Sequence, residues 1–347
     1  MPVQTTGEVL DLKRVGSYFH LRMVAPGIAE TAKPGHFVAL GVGGDATSLL
    51  LRRAFSIYRT EQRSAYGGSV DIVFAVAGEG TRWLSERRRH DKIDIIGPLG
   101  RPFALPAEKV SCVLIGGGYG AAPLFTLGEE LRSRGCRVDF VLGASTKDRL
   151  FGVLEARRMS QALAVTTEDG TEGQRGRVTD VLPGIIEKSD ASVLYACGPM
   201  GMLQAVAAMA GRYGIHSQCA VEESMACGVG VCMTCVLPVI GDDGRTRMVR
   251  SCVEGPVFRG DRVRWADVGT VPADCVGSPE WTASLIDGGP GALAALLADN
   301  GSDNGQRLTS TSPDTDTDAD AGTDTDTDTD AGTDTAGAEN HDETVAP

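Results

Sequence analysis

Three cysteines in one short segment, with a fourth further along, constrain this chain more than any other feature. Cys227, Cys232 and Cys235 follow the spacing C-x4-C-x2-C, and Cys252 follows later. This is the plant-type spacing for the ligands of a [2Fe–2S] cluster, in which soft thiolates hold the iron ions. The spacing therefore predicts a one-electron iron–sulfur centre.

Two glycines between the cysteines support this prediction, although two alternatives stay open. Gly228 and Gly230 can adopt a positive φ at little cost, so that backbone N–H groups approach the sulfur atoms and help set the potential. Cys232 and Cys235 alone would also suit a redox dithiol, and four cysteines can bind zinc. Structural zinc sites usually carry two C-x2-C pairs, whereas this chain has one.

The negative charge is concentrated near the C-terminal end. The formal net charge is −13, and residues 299–347 hold 14 acidic residues against one basic residue, Arg307. The rest of the chain is balanced in charge and shows no basic surface for nucleic acid, so we expect no nucleic-acid partner. Residues 299–347 are mostly Thr-Asp and Ala-Gly-Thr-Asp repeats, which cannot bury enough apolar surface to fold. We expect a disordered acidic tail there.

The cysteine content and the N-terminal residues bear on the compartment. Residues 1–10 are too polar for the apolar region of a signal peptide, and there is no apolar run of the roughly 18 residues that a membrane helix needs. Nine cysteines, an odd number, fit a reducing compartment in which they serve as ligands or core residues. We therefore expect a cytoplasmic protein without a membrane partner.

Hydrophobic patterning predicts a β-barrel plus an α/β domain. Closely spaced strands with turn signals indicate an antiparallel barrel, and alternating strands and helices indicate a doubly wound parallel sheet. A short helix is predicted at 292–297. The predicted segments are a barrel at 1–104, an α/β domain at 105–216, a small cysteine-bearing module at 217–260, a Gly/Ala/Pro-rich extension at 261–298 and the tail at 299–347.

A glycine-rich turn follows the first predicted strand of the α/β segment. Gly116, Gly118 and Ala121 match the dinucleotide fingerprint in its G-x-G-x-x-A form, and Gly120 lies in the same turn. In that fingerprint the glycines permit a tight turn, and a pyrophosphate binds at the helix N-terminus. A glycine turn is also ordinary architecture, so the strand–turn–helix context carries the prediction.

Three further motifs are weak when taken singly. An Arg can pair with a diphosphate, an aromatic ring can stack and a Ser can bond a ring edge. The same residues would also be found on the solvent face of a strand or in an ordinary turn. The motifs are Arg53-Ala54-Phe55-Ser56 on a barrel strand, Gly78-Glu79-Gly80-Thr81 after a later strand, and Cys197-Gly198-Pro199 at the carboxyl edge of the sheet.

In this order, the motifs resemble those of the ferredoxin–NADP reductase-like superfamily, whose flavin motif R-x-[YF]-S is matched at residues 53–56. The segments at 221–227 and 252–258 narrow the resemblance to the electron-transfer subunit of type B, NAD-linked dihydroorotate dehydrogenase. The resemblance covers about residues 5–260, and the run E-x-M-x-C-G-x-G-x-C-x-x-C is its most specific part. Residues 261–347 have no counterpart in it.

The resemblance implies FAD on the barrel, NAD on the sheet and a [2Fe–2S] cluster on the four cysteines. Where the family often has aromatic-Arg, this chain has Phe74-Ala75, which leaves Arg82 as an alternative basic contact. Many members also have Pro at the position of Ala54. The implied FAD contacts are Arg53, Ala54, Phe55, Ser56, Phe74, Ala75, Gly80 and Thr81, and the implied NAD contacts are Gly116, Gly118, Gly120, Cys197, Gly198 and Pro199.

The resemblance also implies a partner, an FMN-containing catalytic subunit that oxidises dihydroorotate, in a heterotetramer of two copies of each. Electrons would pass from FMN through the cluster and FAD to NAD in pyrimidine biosynthesis, with no catalytic residue or dihydroorotate site on this chain. The alternatives are an NAD(P)H–acceptor reductase or diaphorase subunit with another partner, or a zinc or scaffold module. The preference for NAD or NADP stays open, since Lys147 and Arg149 could bind the 2′-phosphate of NADP or lie in a solvated loop.

Overall fold

A closed antiparallel barrel and a seven-stranded sheet make up most of the structure. The computed structural model describes residues 1–44, 48–64 and 67–282. The predicted helix at 292–297 and the predicted disorder at 299–347 lie outside the described residues. None of the helices that these residues form has the length and hydrophobicity needed to cross a lipid bilayer.

The barrel closes in the strand order β1-β2-β5-β4-β3-β6. Side chains alternate between the barrel interior and the outside, as along β6, where Ile93 and Ile95 are buried while Lys92 is exposed. Two short helices, α1 (Pro26–Ala29) and α2 (Glu79–Ser85), interrupt the strands. The strands are β1 (Val3–Val15), β2 (Tyr18–Val24), β3 (Phe37–Leu40), β4 (Arg53–Ser64), β5 (Gly67–Phe74) and β6 (Lys92–Leu99).

The sheet confirms the predicted doubly wound domain. Its strand order is β10-β9-β8-β7-β11-β12-β15, and all neighbours are parallel except β12 and β15. The order reverses between β7 and β11, and ligands of such sheets bind beyond the carboxyl ends of the strands at this switch point. The strands are β7 (Ser111–Gly117), β8 (Arg137–Ala144), β9 (Leu163–Thr167), β10 (Gln174–Arg175), β11 (Val193–Cys197), β12 (His216–Ala220) and β15 (Val257–Arg259).

Four helices accompany these strands, and their apolar sides pack on the sheet. Helix α3 contributes Leu124, Phe125 and Leu127 to one buried cluster, and helix α6 contributes Leu203 and Val206 to another. The helices are α3 (Ala122–Ser133), α4 (Val153–Met159), α5 (Val178–Ser189) and α6 (Met200–Tyr213).

The cysteine-bearing segment leaves and rejoins the same edge of the sheet. Ala220 of β12 pairs with Val257 of β15, and between them lies a hairpin of β13 (Val236–Ile240) and β14 (Thr246–Arg250). Part of the extension packs on this hairpin, where the Val276 N–H donates to the Thr246 carbonyl at 2.9 Å. Because β12 and β15 belong to the sheet, the boundaries predicted at 217 and 260 fall at strands of the α/β domain, and the five-segment division stays a prediction.

A buried carboxylate ties two barrel strands together. Asp71 on β5 accepts hydrogen bonds from His20 Nε2 at 2.8 Å and from Arg22 Nε at 2.9 Å, both on β2. Burial alone would raise the pKa of Asp71, but these hydrogen bonds outweigh it and hold the pKa below its usual value. On the sheet side, the hydroxyl of the neighbouring Tyr58 donates to Glu155 Oε2 of α4 at 2.7 Å.

We predict that Asp71→Asn lowers the free energy of unfolding by about 2–3 kcal/mol, because it removes charge-assisted hydrogen bonds to a side chain that is 2% exposed. Asp11→Asn removes an exposed partner of Lys13 and should change it by less than about 0.5 kcal/mol. Denaturant unfolding measures both. The folded pKa is depressed, so the Asp71 contribution is present above the unfolded pKa and is lost as the pH falls below about 4.

Equal effects of the two substitutions would contradict this account of the barrel. So would a contribution of Asp71 that is already absent at pH 7.

Candidate cofactor and cluster sites

The cysteine loop has the local geometry that its glycines predict. Gly228 and Gly230 have φ of 72° and 85°, in the left-handed region. The N–H groups of Val229 and Val231 then point at the Cys227 sulfur, at 3.4 and 3.3 Å. Such N–H donors stabilise a thiolate ligand, so the loop backbone suits a sulfur-bound metal centre.

The four thiols form two pairs. Cys227 neighbours Cys232, and Cys235 neighbours Cys252. No group of three or more Cys, His, Asp or Glu side chains converges on a common point among the described residues. A structural zinc ion needs four ligands around one point, whereas a [2Fe–2S] cluster takes its four thiolates two to each iron. The donor set fits the cluster.

The two pairs differ in their surroundings. Hydrogen bonds from the Thr234 hydroxyl and from backbone N–H groups lower the pKa of the exposed Cys232 thiol to about 6, whereas burial raises the pKa of Cys252 to about 12. Cys235 and Cys252 are buried in a small apolar core with barrel residues that include Phe37. One pair therefore faces solvent and the other faces the barrel.

Apolar side chains surround the exposed pair. We call Val229, Val231, Met233 and Val253 the apolar rim; each is more than a third exposed, and Val231 is 78% exposed. Such a patch around a redox centre is typical of a surface that binds another protein.

A cavity of about 290 Å³ opens where the barrel meets the sheet. Most of the predicted flavin residues line it, and Phe55 and Phe74 pack against each other there at 5.7 Å between ring centroids. We call it the flavin cavity. Its lining comprises Phe37, Ala54, Phe55, Ser56, Val73, Phe74, Ala75, Ala77, Thr81, Tyr119, Gly120, Ala122, Val221, Glu222, Glu223, Ser224, Met225 and Pro256.

Arg53 and Gly80 lie beside this cavity rather than in its wall. Arg53 Nη1 donates to the Leu51 carbonyl at 2.7 Å, and its side chain lies against Gly80, where a Cβ atom would be 3.2 Å from Arg53 Nε. Thr81 Oγ1 accepts from the N–H groups of Ala77 and Gly78. Because residue 80 is glycine, the Arg53 guanidinium can lie close to the backbone of residue 80 itself, which is also a predicted flavin contact.

Two residues of the flavin cavity also take part in the apolar core that holds the buried thiols. Phe37 belongs to the apolar core that holds Cys235 and Cys252, and Met225 packs against that core. The flavin cavity and the buried thiol pair therefore share one wall.

A second cavity, of about 530 Å³, lies at the carboxyl ends of the parallel strands. It is where a doubly wound sheet binds nucleotides, and we call it the dinucleotide cavity. Its lining comprises Tyr18, Gly117, Gly118, Tyr119, Gly143, Ala144, Ser145, Arg149, Thr166, Glu168, Gly176, Arg177, Val178, Thr179, Pro199, Gly201, Met202, Ala205 and Glu222.

Several of the predicted glycines serve close packing. A Cβ atom on Gly120 would lie 2.8 Å from the Gly198 Cα, and one on Gly117 would lie 2.8 Å from the Pro199 Cδ. Real Cβ atoms do not approach so closely, so the loop after β7 and the loop after β11 require glycine where they touch. Gly117 and Pro199 line the dinucleotide cavity, and the contact between Gly120 and Gly198 holds the same two loops together beside it.

The structure separates the predicted nicotinamide contacts into two groups. Gly118 and Pro199 line the dinucleotide cavity, and Gly120 lines the flavin cavity. Gly116, Gly198 and the buried Cys197 line neither and support the loops from behind.

Sequence reasoning missed several lining residues because they lie far from the motifs along the chain. Tyr18, Glu168 and Arg177 come from separate elements. Glu222 was within reach, since it lies in the segment 221–227 on which the resemblance partly rests. Lys147 lies outside the lining, where its Nζ is 3.1 Å from Glu172 Oε2, whereas Arg149 lines the dinucleotide cavity.

Two family models match the chain at these sites. The model of the iron–sulfur cluster binding domain of dihydroorotate dehydrogenase B matches residues 222–264, and that of the oxidoreductase NAD-binding domain matches residues 114–208. With the barrel, they define an electron-transfer oxidoreductase of the ferredoxin–NADP reductase-like class that carries an iron–sulfur module.

Similar proteins specify the family. The electron transfer subunit of dihydroorotate dehydrogenase B (NAD(+)) from Desulforamulus reducens is 33% identical over 264 residues, covering 74% of this chain and 99% of that subunit. The subunit from Geobacillus thermodenitrificans is 38% identical over 241 residues, covering 68% and 88%. The chain belongs to the family of dihydroorotate dehydrogenase B electron transfer subunits.

Solved structures agree on the fold. An NADH-dependent reduced ferredoxin–NADP oxidoreductase, studied for flavin-based electron bifurcation, superposes with a TM-score of 0.66 at 28% identity, covering 76% of this chain and 91% of the other. A ferredoxin NADP+ reductase from Neisseria gonorrhoeae with bound FAD and NADP superposes with a TM-score of 0.50 at 18% identity, covering 61% and 92%.

We predict that Gly120→Ala pushes the two loops apart and weakens binding of ADP-ribose, because the new methyl group would overpack against Gly198 at a cost of about 1–3 kcal/mol. Gly211→Ala is the matched control: this glycine lies in α6, and a Cβ there meets nothing within 4 Å. Calorimetric titration checks the affinity, which should fall for Gly120→Ala alone. Unchanged affinity in Gly120→Ala would show that the loop contact does not shape the cavity.

Proposed function

We propose that this chain is the electron-transfer subunit that delivers electrons from dihydroorotate oxidation, on an FMN-bearing partner subunit, to NAD in pyrimidine biosynthesis. One observation carries the proposal: three sites adjoin in a single order. The dinucleotide cavity shares Tyr119 and Glu222 with the flavin cavity, and the flavin cavity shares Phe37 and Met225 with the buried thiols.

The residues present suit the three cofactor groups. When bound, the cluster and FAD supply the redox chemistry, through which electrons from the partner's FMN reach NAD. The protein positions these groups. Phe37 and Met225 pack between the flavin cavity and the core of the buried thiols, and the N–H groups of Val229 and Val231 stabilise the sulfur of Cys227.

The flavin residues divide into ring and phosphate contacts. Ala54, Phe55, Ser56, Phe74 and Ala75 line the flavin cavity and would contact the flavin. Arg53 and Gly80 meet beside the cavity, where Arg53 would pair with the diphosphate while Gly80 gives close backbone approach, together with Thr81. At the nicotinamide site, Gly118, Gly120 and Pro199 would contact NAD, and Gly116, Cys197 and Gly198 would hold those loops in place.

The catalytic subunit would bind at the apolar rim. Cys227 and Cys232 reach the surface within this rim, so a partner seated there would lie next to the cluster held by Cys227, Cys232, Cys235 and Cys252. A heterotetramer with two copies of each subunit, and location in the cytoplasm, stay part of the proposal.

We predict that Arg53→Ala yields flavin-poor protein. Loss of a charge-assisted hydrogen bond costs about 1.5–3 kcal/mol, or roughly ten- to a hundred-fold in FAD affinity. Arg82→Ala is the matched control, since Arg82 is exposed on α2 and does not line the flavin cavity. Flavin content after gel filtration, followed by FAD titration, measures both. Full occupancy in Arg53→Ala at low micromolar protein would remove Arg53 from the site, and loss in Arg82→Ala would assign the contact to Arg82.

The relay itself predicts a separation of activities. The flavin-loaded chain alone should reduce dyes with NADH but should not oxidise dihydroorotate. Adding the FMN subunit should create dihydroorotate-to-NAD activity. Cys235→Ser should abolish this coupled activity, with loss of iron and sulfide, while FAD and part of the NADH–dye activity remain.

Coupled activity in Cys235→Ser, or dihydroorotate oxidation by this chain alone, would refute the relay. Failure of the FMN subunit to bind, with NADH–dye activity intact, would favour an NAD(P)H–acceptor reductase or diaphorase subunit. Substitution within the apolar rim, as in Val231→Glu, should weaken partner binding and leave NADH–dye activity as it is.

A further inference from the structure

Arg250, the last residue of β14, joins the cysteine loop to the turn that carries Cys252. Glu254 anchors it, since Arg250 Nη2 donates to Glu254 Oε1 at 3.0 Å and the Arg250 backbone N–H donates to Glu254 Oε2 at 3.0 Å. The other end of the guanidinium, Nη1, donates to the Gly230 carbonyl at 2.8 Å. The side chain is therefore fixed on one side and directs its second donor at the cysteine loop.

The Gly230 carbonyl shares one peptide group with the N–H of Val231. This peptide bond is trans, so the carbonyl and the N–H point in opposite directions. On the far side, the Val231 N–H donates to the Cys227 sulfur at 3.3 Å. Arg250 and the Cys227 sulfur therefore lie on opposite sides of the same peptide group, and each bonds one end of it.

This peptide group has little room to move. A Cβ atom on Gly230 would lie 2.5 Å from the Val253 Cγ2 atom, closer than real Cβ atoms come, so the loop is pressed against the turn after Cys252. The positive φ of Gly230 adds a second constraint, because side chains other than glycine rarely tolerate it. Packing thus fixes where the peptide group lies, and the hydrogen bond from Arg250 fixes which way it faces.

A cation bonded to the carbonyl end of a peptide group strengthens the donor at the other end. Hydrogen bonds in a chain polarise one another, and those from an ionised donor are the stronger ones. The Val231 N–H is therefore a better donor to Cys227 than it would be with a solvated carbonyl. Hydrogen bonds to the sulfurs help to set the potential of an iron–sulfur cluster. Since a reduced cluster carries one more negative charge, a stronger donor raises that potential.

We propose that Arg250 is a positioning residue that raises the reduction potential of the cluster by orienting and polarising the peptide group between Gly230 and Val231. Arg250 acts on Cys227 through this peptide group and not as a ligand. This role rests on the cluster that the proposed function includes, but not on the identity of the partner subunit.

The test is an anaerobic redox titration of the full chain with its cluster, followed by the EPR signal of the reduced cluster. Arg250→Met removes both side-chain hydrogen bonds and should lower the midpoint potential. The expected fall is roughly fivefold in the reduction equilibrium, or about 40 mV at about 59 mV per tenfold for a one-electron couple. Arg250→Lys keeps a charged donor and should return the potential close to the wild-type value.

Arg247→Met is the matched control. Arg247 lies on the same strand and pairs at 2.7 Å with Asp243, which lies in the turn between β13 and β14. Its side chain is 38% exposed, against 35% for Arg250. The substitution removes the same charge from the hairpin and should leave the potential unchanged. An equal fall in Arg247→Met would overturn the role of Arg250.

A second measurement separates the effect of the peptide group from that of charge alone. Pulsed EPR of protein containing valine labelled with the heavy nitrogen isotope detects the amide nitrogens of Val229 and Val231, which both bond the Cys227 sulfur. Arg250→Met should weaken one coupling and leave the other as an internal reference. A lower potential with both couplings unchanged would assign the effect to charge and refute the route through the peptide group.

An unchanged potential in Arg250→Met would refute the proposal as well. Arg250→Gln, whose neutral amide can still donate to the Gly230 carbonyl, should give a smaller fall and provides the same test if the methionine variant loses its cluster. Wild-type protein that shows no EPR signal after reconstitution with iron and sulfide would refute the cluster itself, whereas a wild-type signal without an Arg250 effect would refute this role alone.

Discussion

The pairing of β12 with β15 is the contact on which the arrangement of the three sites depends. The chain leaves the sheet after Ala220 and returns at Val257, and the Val221 N–H donates to the Pro256 carbonyl at 2.9 Å where the two ends meet. Both ends are held at one sheet edge, and the outgoing segment 221–225 runs along the wall of the flavin cavity. It places Glu222 at the dinucleotide side and Met225 at the thiol side. One short segment thus orders all three sites.

The barrel also helps to position the cysteines that would hold the cluster. Phe37 on β3 both lines the flavin cavity and packs around Cys235 and Cys252. A Cβ atom on Gly228 would lie 3.5 Å from the Ala39 side chain, so the cysteine loop itself rests on β3. The cluster ligands are therefore positioned by two domains at once, and shared packing between them, more than the loop alone, fixes the buried pair.

Local sequence patterns predicted the features that depend on residues close together along the chain. The positive φ of Gly228 and Gly230, the barrel and the sheet all follow from spacing and periodicity. The remaining features depend on contacts between distant segments. Gly120 is required because Gly198 lies against it, and neither glycine reveals the other along the chain. Tyr18 enters the dinucleotide cavity from the second barrel strand, so no motif could indicate it.

The cysteines of this chain should differ in their reactivity toward alkylating reagents. Of the nine, seven are buried, and only Cys227 and Cys232 reach solvent. Alkylation depends on access to a thiolate, so a reagent added to folded protein without its cluster would label these two positions and spare the rest. The amount of label bound per protein molecule then measures the fraction of molecules that lack a cluster.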